Sequence, residues 1–195
     1  VLFLAVFETV AVTLWQAKDN LFYLLNFSYI GLSLALGMVL FARKSPYARR
    51  VVQLLVGCYM LLYLGLIRRE NMQIEGFWYC LFTGVFEGAA IHYTVAKLAG
   101  SLLFGRGWCG YACWTAMVLD FLPYPVPKGE RRPWGWLRYV TFAASLAFVT
   151  ALFLLPVHDR EDIMFWAFLL GNLAYYAAGI ALALKLRDNR AFCKY

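Results

Sequence analysis

The sequence predicts an all-α fold, a polytopic transmembrane helical bundle of about six spans, and three observations carry that expectation. Of the 195 residues 63% are hydrophobic and only 15% are charged, where a soluble domain carries about 25% charged residues. Long apolar runs follow one another with short polar breaks between them. The basic residues sort to alternate breaks, as the connections of a membrane protein do.

A spanning helix needs about 20 apolar residues at 1.5 Å rise each. The runs that meet or approach this are Val1–Ala17, Leu21–Phe41, Val51–Ile67, Phe77–Phe104, Leu137–Val157 and Ile163–Leu186. Phe77–Phe104 is longer than one span needs, and Gly84, Gly88 and Gly100 within it predict a tilted, kinked or partly re-entrant segment. Pro123, Pro125, Pro127 and Pro133 rule out a continuous helix over Leu122–Pro133, which reads as a stiff crossing. The chain opens on Val1 and closes on Tyr195 directly after a cysteine and a lysine, so 1–195 is read as one transmembrane domain of a longer protein.

Orientation follows from the connections. Arg43, Lys44, Arg49 and Arg50 share one loop; Arg106, Lys128, Arg131, Arg132 and Arg138 lie in or beside another; Lys185, Arg187, Arg190 and Lys194 follow the last run. The opposite connections are short and near neutral or acidic: Lys18-Asp19, Arg68 to Glu75, and Asp159 to Asp162. The positive-inside rule puts loops 43–50 and 105–136 and the C-terminus in the cytoplasm of a cell's inner membrane, with the lipid bilayer as the chain's solvent. Trp15, Trp78 and Trp166 on one side, and Trp108, Trp114, Trp134 and Trp136 on the other, fit interfacial belts.

Several classes are excluded. The basic residues lie between apolar runs and not on a polar face, which argues against nucleic acid as a partner. Five cysteines, an odd number, argue against a disulfide framework. Two histidines at different depths give little support to bis-His haem.

The chemically loaded stretch is Gly105-Arg106-Gly107-Trp108-Cys109-Gly110-Tyr111-Ala112-Cys113-Trp114. In a helix, Cys109 and Cys113 share a face. Gly105, Gly107 and Gly110 permit close backbone approach and N–H groups turned toward sulfur, and Arg106 favours thiolate. That supplies a metal or iron–sulfur site; the spacing alone equally describes two small residues at a helix-packing interface. Cys193, preceded by Arg190, places a third thiol at a cytoplasmic span end. A tetrahedral zinc or a four-iron cluster takes four ligands as a rule, and these cysteines make three.

Gly105–Cys113 resembles the GRxxCGxxC signature of membrane-bound 4Fe-4S proteins, and Arg190–Tyr195 looks like the start of that group's second pair, CxxxCP. The group includes the quinol-oxidising membrane subunit of periplasmic nitrate reductase and the membrane regulator of nitrous-oxide reductase. The resemblance runs from about Phe77 to the end. It implies a [4Fe-4S] cluster on the cytoplasmic side, with Cys109, Cys113 and Cys193 as ligands and Arg106 and Gly110 beside them. It also implies a fourth ligand and a ferredoxin-like segment beyond residue 195. Trp114 stands where the group usually has proline, which points away from the nitrate-reductase branch.

Glu87, His92 and Lys97 fall within an apolar run. Ionisable groups there default to a functional reading, here proton handling beside a quinone by Glu87 and His92. An unbroken helix sets those two about 140° apart, so alignment requires a break near Gly88. Cys58 and Cys80 read as core thiols, Glu8 as lying near the end of the first run, and His158 as solvated. The resulting expectation is an electron-transfer component of an oxidoreductase system, served by a redox partner protein or quinol. Two rivals stand beside it: a membrane thiol–disulfide or metal-reducing enzyme using Cys109 and Cys113, and a transporter or permease for a soft metal such as Cu(I).

Overall fold

The computed structural model describes residues 2–85, 90–91, 93–94, 98, 102, 111, 113–125 and 133–194. Among these, every regular element is helical. Helix α1 is Leu2–Lys18 and α2 is Leu21–Ala42; α3 is Ala48–Cys58, continued by a π-helix over Tyr59–Ile67. Helix α4 is Ile74–Thr83, α5 is Trp114–Asp120, and α6 is Leu137–Leu154 after a 3₁₀ turn at Pro133–Trp136. Helix α7 is Arg160–Leu186 and α8 is the single turn Ala191–Lys194.

Four stretches are long and apolar enough to cross a membrane: Leu21–Ala42, Ala48–Ile67, Trp134–Leu154 and Arg160–Leu186. Their exposed side chains are apolar, including Leu25, Leu32 and Phe41 on α2, Tyr139 and Val140 on α6, and Leu170 and Leu173 on α7. Contiguous apolar surface on this scale is a membrane-facing property. The two other expected spans stand differently. The first run forms α1, 17 residues long. Of Phe77–Phe104, the part up to Thr83 belongs to α4, and most of the rest lies outside the described residues.

Local chemistry sets the ends. Asn20 caps α2, its side-chain oxygen accepting from the Phe22 N–H at 2.9 Å. The glycine expectation holds at Gly84, whose φ of 70° ends α4 in the left-handed region. Leu155 takes an extended conformation before Pro156 and closes α6. Arg187 ends α7 at φ 49° and ψ 40°, and this reversal folds α8 back along α7, where Phe192 meets the Tyr175 ring at 5.9 Å. Glu8 lies well inside α1, not near its end, and accepts from Ser28 Oγ of α2 at 2.7 Å. A carboxylate with an interhelical partner needs no helix end to reach water.

Helix α1 packs on α2, α2 on α3, and α4 on α6. The short α5 lies between α3 and α7, with Trp114, Ala116, Met117, Leu119 and Asp120 all buried. Gly37 and Gly65 admit close neighbours: a Cβ on Gly37 would lie 2.0 Å from Val52 Cγ2, and one on Gly65 2.4 Å from Phe168 Cε1. Small residues at such crossings let packed helices approach where lipid offers no hydrophobic drive.

Candidate functional site

The site assembles around α5, which runs alongside α7. Trp114 Nε1 donates to Asn172 Oδ1 at 2.9 Å, and Leu119 packs on Gly179. Asn172 in turn donates from Nδ2 to the Phe168 carbonyl at 2.9 Å, so the buried amide is used on both sides. Trp114 therefore stands near the middle of α7 and not at its end. The expectation of Cys113 at the bundle's edge changes accordingly. Cys113 precedes Trp114, half-buried, at mid-length of α7.

Its backbone also differs from the expected helical face. Cys113 is extended, at φ −83° and ψ 116°, and serves as the residue before α5. A helical spacing from Cys109 does not continue through it. Its carbonyl accepts from the Met117 N–H at 3.0 Å, the first bond of α5.

Cys193 reaches the same neighbourhood from α8. It is exposed as a residue, yet the protein around it makes its thiol harder to ionise. Burial pushes its pKa up, Arg190 pulls against that through charge and a hydrogen bond, and Cys113 is near enough to push it up further. Burial alone would lower the Arg190 pKa, but its hydrogen bond and charge contact with Asp120 outweigh that, and Cys193 adds to the rise. Cys58 and Cys113 are also within electrostatic reach of the Tyr176 hydroxyl. Cys58 donates to Met117 Sδ at 3.8 Å and Cys80 is buried, the placement expected of packing thiols. His158 is exposed, as expected of a loop histidine.

The α5–α8 junction is tightly tied. Asn189 Nδ2 donates to the Leu122 carbonyl at 2.6 Å, its Oδ1 accepts from the Tyr124 N–H at 3.2 Å, and its own N–H reaches the Pro125 carbonyl at 3.4 Å. Asp120 Oδ1 accepts from Arg190 Nε at 2.6 Å and Oδ2 from Nη2 at 2.5 Å, while Arg49 Nη2 of α3 stands 3.0 Å from Oδ2. Lys194 Nζ pairs with Asp188 Oδ2 at 2.5 Å.

Beside Cys113 lies a cavity of about 220 Å³, lined by Gln73, Glu75, Tyr93, Trp114 and Tyr175 among others. Glu75 Oε1 accepts from Ser145 Oγ at 2.7 Å, and its buried Oε2 has no partner among the described residues. The sequence places Glu75 in an outer connection; the structure puts it in the first turn of α4, facing this cavity.

Cys109, Arg106, Gly110, Glu87, His92 and Lys97 lie outside the described residues, as do Lys128, Arg131 and Arg132. Among the described residues, no group of three or more His, Cys, Asp and Glu side chains is gathered for a metal ion. Sequence reasoning missed Asp120, Asn172 and Asn189. The only signal of each was a polar residue in or beside an apolar run, which names no partner. Set against protein-family models, curated proteins and solved structures, the chain finds no match.

Proposed function

We propose that this protein is an integral membrane electron-transfer component holding an iron–sulfur site set into the bundle from its basic, cytoplasmic side. The observation that carries the reading is the convergence of Cys113 and Cys193. They come from separate elements, α8 is turned back at Arg187, and Arg190 and Cys113 both lie within electrostatic reach of the Cys193 thiol. Soft ligands with a cationic donor beside them suit a cluster of four-iron type. Cys113 and Cys193 would hold it together with Cys109 and a fourth ligand, with Arg106 and Gly110 alongside. Such a group supplies one-electron transfer, at a potential set by hydrogen bonds to sulfur and by burial.

In this reading the bundle has about six spans, with loops 43–50 and 105–136 and the C-terminus facing the cytoplasm of an inner membrane. The electron donor is a quinol or a soluble redox protein. The cavity beside Cys113 supports the quinol version, since the Glu75 carboxylate is among the groups that line it; Glu87 and His92 are the further proton-handling residues proposed for this chain.

The test is iron and acid-labile sulfide in anaerobically purified full-length protein, with Cys113→Ser beside it. The expected result is both elements in the parent and a lost or altered cluster signal in the variant. A parent free of iron and sulfide, with no broad visible absorbance, overturns the reading.

A further inference from the structure

Ser145 has two acceptors and one proton to give. Its Oγ lies 2.7 Å from Glu75 Oε1 and 2.9 Å from the Thr141 carbonyl oxygen, buried at mid-length of α6. A serine hydroxyl carries one hydrogen and two lone pairs, and a carbonyl oxygen can only accept. Ser145 therefore donates to one of these oxygens at a time. Ser28, the serine beside Glu8, has that carboxylate as its one acceptor among the described residues, so its hydrogen has a single place to go.

The place of Glu75 gives this geometry its use. Helices α4 and α5 both begin level with the middle of α7: a Cβ on Gly171 would lie 3.0 Å from Gln73 Oε1, and Trp114 bonds Asn172. From there they run toward opposite ends of the bundle. Tyr79 and Thr83 of α4 line a cavity with Glu161 and Asp162, and Asp120 of α5 meets Arg190. Broken helices of this kind are where membrane proteins build polar sites. Glu75, in the first turn of α4, lines the 220 Å³ cavity at this level together with Gln73, Tyr93, Cys113, Thr115 and Tyr175. Tyr93, Cys113 and Tyr175 are the other titratable groups of that lining, and no lysine or arginine belongs to it. From α6 the neutral Ser145 faces the carboxyl, its one hydrogen-bond partner among the described residues.

We infer that Glu75 is a proton-binding site in the middle of the bundle, with Ser145 as the positioning residue that holds it in both protonation states. As a carboxylate, Glu75 accepts the Ser145 hydroxyl hydrogen at Oε1. With a proton on Oε1, Glu75 donates to a lone pair of Ser145 Oγ, and the hydroxyl turns to the Thr141 carbonyl. Each state keeps the Glu75–Ser145 hydrogen bond, and only hydrogens move. One proton passes from a water or hydroxyl in the cavity to Oε1 and leaves a neutral acid; the Ser145 hydrogen stays on Ser145 throughout. A cavity of this size with several polar walls has room for water.

The site goes beyond the iron–sulfur reading and needs neither cluster nor quinol. Infrared difference spectra of the full-length protein in lipid, recorded between high and low pH, test it. The parent is expected to gain a protonated-carboxyl band as the pH falls, and Glu75→Gln to lack it, while Glu8→Gln keeps it. Ser145→Ala moves the band by removing its hydrogen bond, and Ser145→Thr, which keeps a hydroxyl, returns it. Should Glu75→Gln fail to fold, dicyclohexylcarbodiimide, which couples to protonated carboxyls in apolar surroundings, decides on the parent: modified Glu75 in the peptide map, with a yield that falls as the pH rises. A band that survives in Glu75→Gln, or a Glu75 that stays unmodified at every pH at which the chain is folded, overturns the proton site. A band left at the same frequency by Ser145→Ala overturns the role of Ser145. A parent without iron and sulfide ends the cluster reading and leaves these results standing.

Discussion

Single buried polar contacts define the centre of this bundle, and they differ in how far they could be foreseen. Trp114 was visible as an aromatic beside Cys113, but its partner Asn172 was one amide among leucines in α7. Trp114→Phe removes the donor and keeps an aromatic ring, though a smaller one. Interhelical hydrogen bonds inside membranes are worth about 0.6 kcal/mol on average and reach about 1.7. The variant is expected to lose about 0.5–2 kcal/mol in reversible denaturation in detergent micelles. Asn189 lies at the end of the bundle and bonds backbone on both sides of its amide. Asn189→Ala leaves a half-buried carbonyl and an N–H without this partner, at up to about 1–3 kcal/mol each when no water replaces the bond. Its expected signature is faster proteolysis between Phe121 and Pro125, seen by mass spectrometry of limited digests.

Among elements, the α2–α3 crossing gives the sharpest expectation. Val52 is 2% exposed and stiff at its branched carbon, so it cannot swing away from a methyl placed on Gly37. Gly37→Ala is expected to cost about 1–3 kcal/mol by overpacking, read as a lower midpoint of thermal aggregation. Val52→Ala in the same chain should return most of that loss; additive losses would show that the crossing is loosely packed. The break of the fourth run was legible, since Gly84 stood out as an interruption and does adopt φ 70°. Helix α5 was not. It is seven residues long and lies in a stretch whose two cysteines suggested an unbroken helical face. Its place between α3 and α7 comes from Trp114, Leu119 and Asp120 each finding a partner on another element.

At the scale of the whole molecule the two ends of the bundle carry different chemistry. One end gathers Arg49, Asp120, Asp188, Arg190 and Lys194 in paired contacts. The other holds Arg69 against Asp162 at 2.8 Å and over the Phe165 ring at 4.5 Å, both partners of the ion pair more than half exposed. That exposed pair adds little to stability, about 0–1 kcal/mol, so Asp162→Asn is expected to leave the melting temperature almost unchanged. The basic end is the proposed cytoplasmic one. An impermeant maleimide should label Cys193 in inverted vesicles and not in intact cells. Labelling from outside intact cells would reverse the proposed orientation.

The sequence alone determined that this chain is helical and suited to a membrane, because apolar run length and the placement of Lys and Arg are one-dimensional properties. Tertiary structure decided where the reactive groups meet. The reversal at Arg187 turns α8 toward α5, Cys113 stands beside mid-α7 instead of at its end, and Glu75 faces a cavity instead of solvent. A buried polar side chain is stable only with a partner, and which partner it finds is fixed by packing between segments far apart in the chain. That is why Asp120, unremarked at the end of an apolar stretch, becomes the residue on which Arg49 and Arg190 converge.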